Sequence, residues 1–263
     1  MATLTGRSRR AEQRIQELML SRTSQQFERR LSREIARAMR SAAGSLNPDG
    51  IESEHRKRLT RLMESLWRAS MLSMAEHMTG AERSWRGKIE AKNLSDVEPT
   101  EVTDRMMQEW MATIGARKIT QITDTTKEDI RRTVEAGIRD GLSERDIAKR
   151  IREIAPTKSA SRAQTIARTE VHAASQASAQ EVADQSGVSM VRVWVSSQGE
   201  RTRTFEEGAQ FDHVIPDGQQ RGMNEPFDIP GVNGDEQLMY PGDPAGSAGN
   251  VINCRCAVAF ELE

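Results

Sequence analysis

Two cysteines stand two residues apart in Asn253-Cys254-Arg255-Cys256, and upstream lies the turn-rich stretch Asp212-His213-Val214-Ile215-Pro216-Asp217-Gly218. On an extended segment, residues i and i+2 project to the same face, so both sulfurs can reach one ion. His213 and Asp217 would then complete four ligands of mixed N, O and S type, a tetrahedral set that suits Zn²⁺. The same residues also have an ordinary use. The thiols can be small buried apolar groups, with the histidine and aspartate making turn hydrogen bonds. Both readings stand at this level, and the second needs no cofactor. A disulfide is not expected, because a bridge between i and i+2 closes a small strained ring.

A second polar group sits at Arg168-Thr169-Glu170, on a stretch otherwise made of small residues. Glu170 could act as an acid–base group. The favoured reading is an ion pair from Arg168 or Glu170 to the C-terminal segment, with Glu170 to Arg255 the expected pair, specifying how strand docks on helix. His172, His55 and His77 have no partner at catalytic spacing. No nucleophile–base pair, phosphate loop or carboxylate pair is present, so an enzyme is not expected. The competing reading is a metal-dependent hydrolase built on His213, Asp217, Cys254 and Cys256.

The elements that must hold these residues read as helix for most of the chain. Residues 8–43 carry Ile15, Leu18 and Met19, then Phe27, Leu31, Ile35 and Met39 at steps of four, which share one helix face. Asn47-Pro48-Asp49-Gly50 is turn chemistry. Beyond it Leu59, Leu62, Met63, Leu66, Trp67, Met71, Met74 and Met78 form another stripe, on a helix expected to run through Glu90. The two make an antiparallel hairpin. A joint is expected over residues 93–100, and helices over 101–115 and 126–140. Gly141 is placed to end the second of these, and Ser143 to cap a short helix that stops before Pro156. An Ala-rich helix over 159–186 follows, ended by Gly187. Residues 190–195 form the clearest strand, and residues 256–260 a second one able to pair with it. Between them glycine and proline exclude a long helix. The class is α+β: a helical region over 1–140 and a smaller C-terminal domain over 141–263.

Charge divides along the chain. Residues 1–92 hold 19 Lys/Arg against 11 Asp/Glu, residues 93–160 hold 12 against 13, and residues 161–263 hold 7 against 15. The balances of +8, −1 and −8 sum to the net −1. The basic third suits nucleic acid or an acidic protein, and the acidic third repels DNA. The helix faces carry ten arginines by residue 40, but glutamates interleave with them and few aromatics stand ready to stack on bases. No run reaches the ~18 apolar residues of a membrane span, and no apolar signal run follows Arg7, Arg9 and Arg10. An intracellularly made product with reduced thiols is expected.

Several pieces of the C-terminal half occur in a recognisable order. They are Ala167-Arg168-Thr169-Glu170-Val171, Val193-Trp194-Val195, Arg201-Thr202-Arg203, His213-x-x-x-Asp217-Gly218, Glu225-Pro226-Phe227, Tyr240-Pro241-Gly242-Asp243-Pro244 and Asn253-Cys254-Arg255-Cys256. Over residues 141–260 the chain thus resembles the Mu F-like family of phage minor head proteins, also called head morphogenesis proteins. The resemblance marks Arg168, Thr169, Glu170, Trp194, Tyr240, Asp243, Asn253 and Arg255 as the structural core of the motif. It implies a minor component inside the head, at the portal vertex, that supports head assembly and DNA packaging or ejection. The implied partners are the portal protein, with the major capsid or scaffolding protein and packaged DNA as further ones, and no membrane. The chain departs from many relatives in two places. Residues 204–212 lengthen the step from Arg203 to His213, and Val251-Ile252 stands where those relatives carry His-Pro.

Overall fold

The computed structural model describes residues 7–47, 52–82 and 97–262. In chain order these form α1 (Arg9–Ser45), α2 (Glu52–Glu82), α3 (Pro99–Trp110), a π-helical turn (Met111–Gly115), α4 (Ala116–Arg139) and α5 (Glu144–Gln185). The strands β1 (Met190–Val195), β2 (Gln220–Gly222), β3 (Phe227–Ile229) and β4 (Glu236–Leu238) follow, then the short α6 (Ala248–Val251) and β5 (Ala257–Leu262). The class is α+β, as the sequence implies. Most of the expected turn at 47–50, the continuation of α2 to Glu90 and the first half of the joint at 93–100 lie outside the described residues.

The helices are longer than their sequence signals. α5 runs through Pro156 instead of stopping before it. Proline forfeits a ladder hydrogen bond, about 3 kcal/mol in an ordinary helix interior. Burial of Ile151, Ala155, Ser159 and Ala163 around it offsets that loss. Residues 116–125, between the two expected helices, are helical too. Their threonines lower helix propensity, but Thr120, Thr123 and Thr125, with Thr126 beyond, each donate a hydroxyl to the carbonyl four residues back. The caps at the end of α4 are those expected. Gly141 takes φ 69°, and Leu142 N–H reaches back to Gly137 O at 2.9 Å. Ser143 Oγ accepts from Asp146 N–H at 3.2 Å.

The chain does not divide once near residue 140. One compact unit comprises Met1–Thr23, Trp67–Met107 and Arg168–Glu263, and the other Ser24–Leu66 and Gln108–Ala167. α1, α2 and α5 each contribute to both, which an N-terminal/C-terminal boundary cannot represent.

In the second unit the expected stripe Phe27, Leu31, Ile35 and Met39 is buried, as are Leu59, Leu62, Met63 and Leu66 of α2. Arg162 of α5 donates to Thr126 Oγ1, Asp129 Oδ2 and Ile122 O of α4. Glu34 is buried and accepts from Arg37, Arg58 and His55 Nδ1 at 2.7, 2.9 and 3.0 Å. Desolvation lowers the pKa of His55.

The first unit holds all the strands. β1 is the centre of a three-stranded antiparallel sheet in the order β2-β1-β5, with Met190 opposite Leu262 and Val195 opposite Ala257. The two predicted strands do pair. β3 and β4 form a separate hairpin. α5 supplies a small-residue face, where Ala173, Ala174 and Ala177 are buried. Ser175 and Ser178 of that helix donate to Ser70 O and Met71 O of α2. The start of α1 differs from expectation. Leu18 is 60% exposed, and the buried side chains there are Glu12, Gln13 and Gln16. They are buried because they have partners: Glu12 meets His77 Nε2 at 2.6 Å, and Gln16 donates to Glu12 and Val258 O. Gln16 Oε1 accepts from Gln176, whose own oxygen accepts Val258 N–H of β5. Hydrophobic periodicity cannot find such a face.

Arg9 grips the fully buried Glu261 of β5 through two hydrogen bonds of 2.6 and 2.7 Å. Arg9→Ala is expected to destabilise the protein by about 2 kcal/mol at neutral pH. The Arg9 hydrogen bond holds the Glu261 carboxyl below its ordinary 4.5. The pair therefore contributes fully above that value and fades as pH falls through the lower folded-state value. Urea melts near pH 7 and at about pH 3 should show the gap between wild type and variant closing in acid. A gap independent of pH would mean that the ion pair is not its source.

Candidate functional site

The irregular chain between β1 and β5 carries few ladder hydrogen bonds, so side chains must satisfy its backbone. Asp212 takes Phe205, Val214 and Ile215 N–H groups at 2.8–3.0 Å. Although burial opposes ionisation, those donors hold its carboxyl below the usual range. This also closes the loop at 204–212 that lengthens the approach to His213. Asp243 takes Met239 and Ala245 N–H at 2.9 Å. Glu236 takes Ser247 N–H and Asn250 Nδ2 at 3.0 Å. Burial pushes the Tyr240 hydroxyl pKa up.

The largest of these polar groups is Arg192 of β1, fully buried. Its guanidinium donates to Gly222 O at 2.8 and 3.1 Å, to Gln180 Oε1 at 3.2 Å, and to the carbonyls of Met239 and Glu225. It also lies 5.2 Å from the centre of the Phe227 ring. Burial lowers its pKa to about 10, so it stays charged at neutral pH.

Around this frame a cluster of sulfur and imidazole forms. Cys254 and Cys256 precede β5 rather than lie in it, and both are buried. His213 is buried with them: its Nδ1 lies 3.6 Å from Cys254 Sγ and 3.7 Å from Cys256 Sγ. The ligand atoms of these three residues lie within 4.8 Å of one another, the group among the described residues able to hold a metal ion. The other ring nitrogen, Nε2, is 2.6 Å from Asn250 Oδ1. Trp194 closes one side, its ring edge-on to His213 with centroids 5.7 Å apart. Hydrogen bonding from Cys256, aided by His213, pulls the Cys254 thiol well below its ordinary pKa, while desolvation pushes Cys256 up.

Asn253 sets the entry to this cluster. Its φ of 60° is left-handed, a region that Asn tolerates better than most residues. Its N–H donates to Thr169 Oγ1 at 3.1 Å, and its Oδ1 accepts from Arg168 at 3.3 Å. The sequence motif on α5 thus meets the one beside β5.

Two expected contacts are replaced by others. Asp217 does not join His213. Residues 213–219 make successive turns, so positions four apart do not share a face, and the Asp217 carboxylate accepts from Arg10 (2.6 Å), Ser196 N–H (2.8 Å) and Gln198 (2.9 Å). Arg255 pairs with Glu17 at 3.3 Å rather than with Glu170, which instead accepts from Trp67 Nε1 at 3.1 Å. Sequence reasoning set His172 aside and passed over Asn250, Glu236 and the structural role of Arg192. A charged residue in the middle of the clearest strand was the available signal for Arg192. His172 offered only its place one turn after Arg168.

The chain belongs to a family of phage proteins. The family is the Phage Mu protein F like proteins, matched over residues 128–259, half of the chain, a span that contains the whole cluster. The uncharacterized protein YqbB of Bacillus subtilis (strain 168) is 33% identical over 134 residues, covering 51% of this chain and 41% of its own length. The match therefore spans less than half of that relative. No solved structure matches the chain.

Arg192→Met should cost about 3 kcal/mol or more, because three carbonyls lose their donor in a buried setting. Arg192→Lys should recover little of this, since one ammonium cannot fork among them. Urea denaturation of the three forms checks both, and a lysine variant as stable as wild type would contradict the fork.

Proposed function

We propose that this protein is a minor head protein, carried in the virion within the capsid at the portal vertex, and that it supports head assembly and the packaging or exit of DNA. Its role is structural rather than catalytic. The family match over residues 128–259 carries this reading. The burial of the reactive groups supports it. A hydrolase acting through His213 and the two thiols would need substrate to reach them, and all three are closed off from solvent. No helix among the described residues is long and apolar enough to cross a membrane.

The portal is the proposed partner, but not through the stripe Phe27, Leu31, Ile35 and Met39, which faces inward. One basic surface remains exposed on α1 and α2. Arg30, Arg33, Arg37, Arg58 and Arg61 of α1 and α2 line one depression around Glu34. Such a face suits an acidic protein surface. The same charge favours a second reading, in which this face holds phosphates of the packaged DNA.

Co-sedimentation with purified portal tests the first reading. The variant Arg33→Glu with Arg61→Glu leaves the ion pairs of Glu34 in place. It should be recovered with portal at least tenfold less than wild type, and raised salt should weaken the wild-type association. Equal recovery of both forms would exclude this face as the portal contact. Binding of duplex DNA but not portal, falling by orders of magnitude with salt, would put the DNA reading first.

A further inference from the structure

We propose that Cys254, Cys256, His213 and His172 bind one Zn²⁺ ion whose role is structural, fastening the segment before β5 to α5. This inference concerns the interior of the protein and does not depend on what its surface contacts.

The first observation is the spacing of the donors. A tetrahedral zinc with Zn–S near 2.3 Å and Zn–N near 2.0–2.1 Å has N···S edges of about 3.6 Å. The two Sγ–Nδ1 separations here are 3.6 and 3.7 Å. An ion could therefore enter with little movement of these atoms.

The second is the tautomer of His213. Asn250 donates its Nδ2 to Glu236 Oε2, which orients the amide so that Oδ1 is the atom facing the histidine. Nε2 must then carry the proton, and the lone pair of Nδ1 points at the sulfurs. A ligating histidine fixed through its other nitrogen by a carboxylate-anchored partner is the usual outer shell of a metal site. Simple packing of two thiols would not require it.

The third is His172. It is buried, and neither ring nitrogen has a partner at hydrogen-bond distance. A buried polar group left so costs free energy unless something absent from the protein atoms satisfies it. The His172 nitrogens stand outside the 4.8 Å group formed by the donor atoms of His213, Cys254 and Cys256, so the ring must shift to bind as the fourth donor. It packs so tightly on Gly242 that a Cβ there would sit 2.6 Å from the ring carbon Cδ2. Tyr240-Pro241-Gly242-Asp243-Pro244 thus wraps the histidine, and Gly242 is the residue that makes room for it.

Charge also fits. Two thiolates and two neutral imidazoles cancel the charge of the ion, so the complex is buried without a net charge. With His172 as the fourth donor no position would stay open, as in a structural rather than a catalytic zinc site.

The test uses the full chain. Protein expressed with added zinc and passed through metal-free buffer should contain about one zinc per chain by elemental analysis. Cobalt substitution should give the visible absorption of a tetrahedral site together with thiolate-to-cobalt charge transfer. A strong chelator should lower the melting temperature. Asp217→Asn should keep the metal. His172→Ala should shift the cobalt spectrum and bind at least tenfold more weakly, and Asn250→Ala should weaken binding by about 10–100-fold. Wild-type protein with far less than one zinc, or with zinc that washes out and a melting temperature indifferent to chelator, would overturn the proposal without recourse to any variant. A His172→Ala protein with an unchanged cobalt spectrum and affinity would overturn the assignment of the fourth ligand.

Discussion

The C-terminal part of this molecule depends on one buried guanidinium. Arg192 stands at the centre of the three-stranded sheet, yet it points into a region where the chain makes almost no regular structure. Carbonyls from Gly222, Glu225 and Met239 all turn toward it. In a sheet or helix those oxygens would find backbone donors, but here one side chain supplies them. Burying a charge is expensive unless it is fully hydrogen-bonded, and the arrangement meets that condition. The irregular segment is therefore folded around a cation rather than around an apolar core alone.

The same logic recurs with opposite sign. Asp212, Asp217, Asp243 and Glu236 each gather N–H groups from turns. Each carboxylate replaces the hydrogen bonds that a longer strand would have made. This accounts for the acidic balance of the last third of the chain: many of those acids are spent internally, on backbone, and do not form a uniformly negative surface. The arginines of α1 behave differently at its two ends. Arg9 and Arg10 reach the sheet and its loops, whereas Arg30, Arg33 and Arg37 border an open depression.

The cluster of His213 with the two cysteines sits where these devices converge. Trp194 of β1 forms one wall, the Asn250–Glu236 pair orients the imidazole, and Asn253 turns the chain so that Cys254 enters. Thr169 and Arg168 hold that turn from α5. The pieces of the sequence motif on α5, on β1 and before β5 thus meet in one connected construction. The three side chains of the cluster are closed off from solvent.

By itself the sequence determined the helical stripes, the caps at Gly141 and Ser143, the pairing of the first and last strands, and the nearness of the two sulfurs. These follow from periodicity, turn chemistry and the two-residue spacing of a pair of sulfurs, all of which act locally. Only the tertiary structure decided which polar residues are buried. Glu12, Gln16 and Arg192 look like surface residues in the chain and become interior ones because partners from His77, Val258 and Met239 arrive from far along it. Asp217 was exchanged for a different neighbourhood because successive turns rotate it away from His213. His172 came to lie against Gly242, far along the chain. A hydrogen bond between distant residues leaves no period in the sequence, and a helix face that buries amides and carboxylates has the same composition as one that meets water.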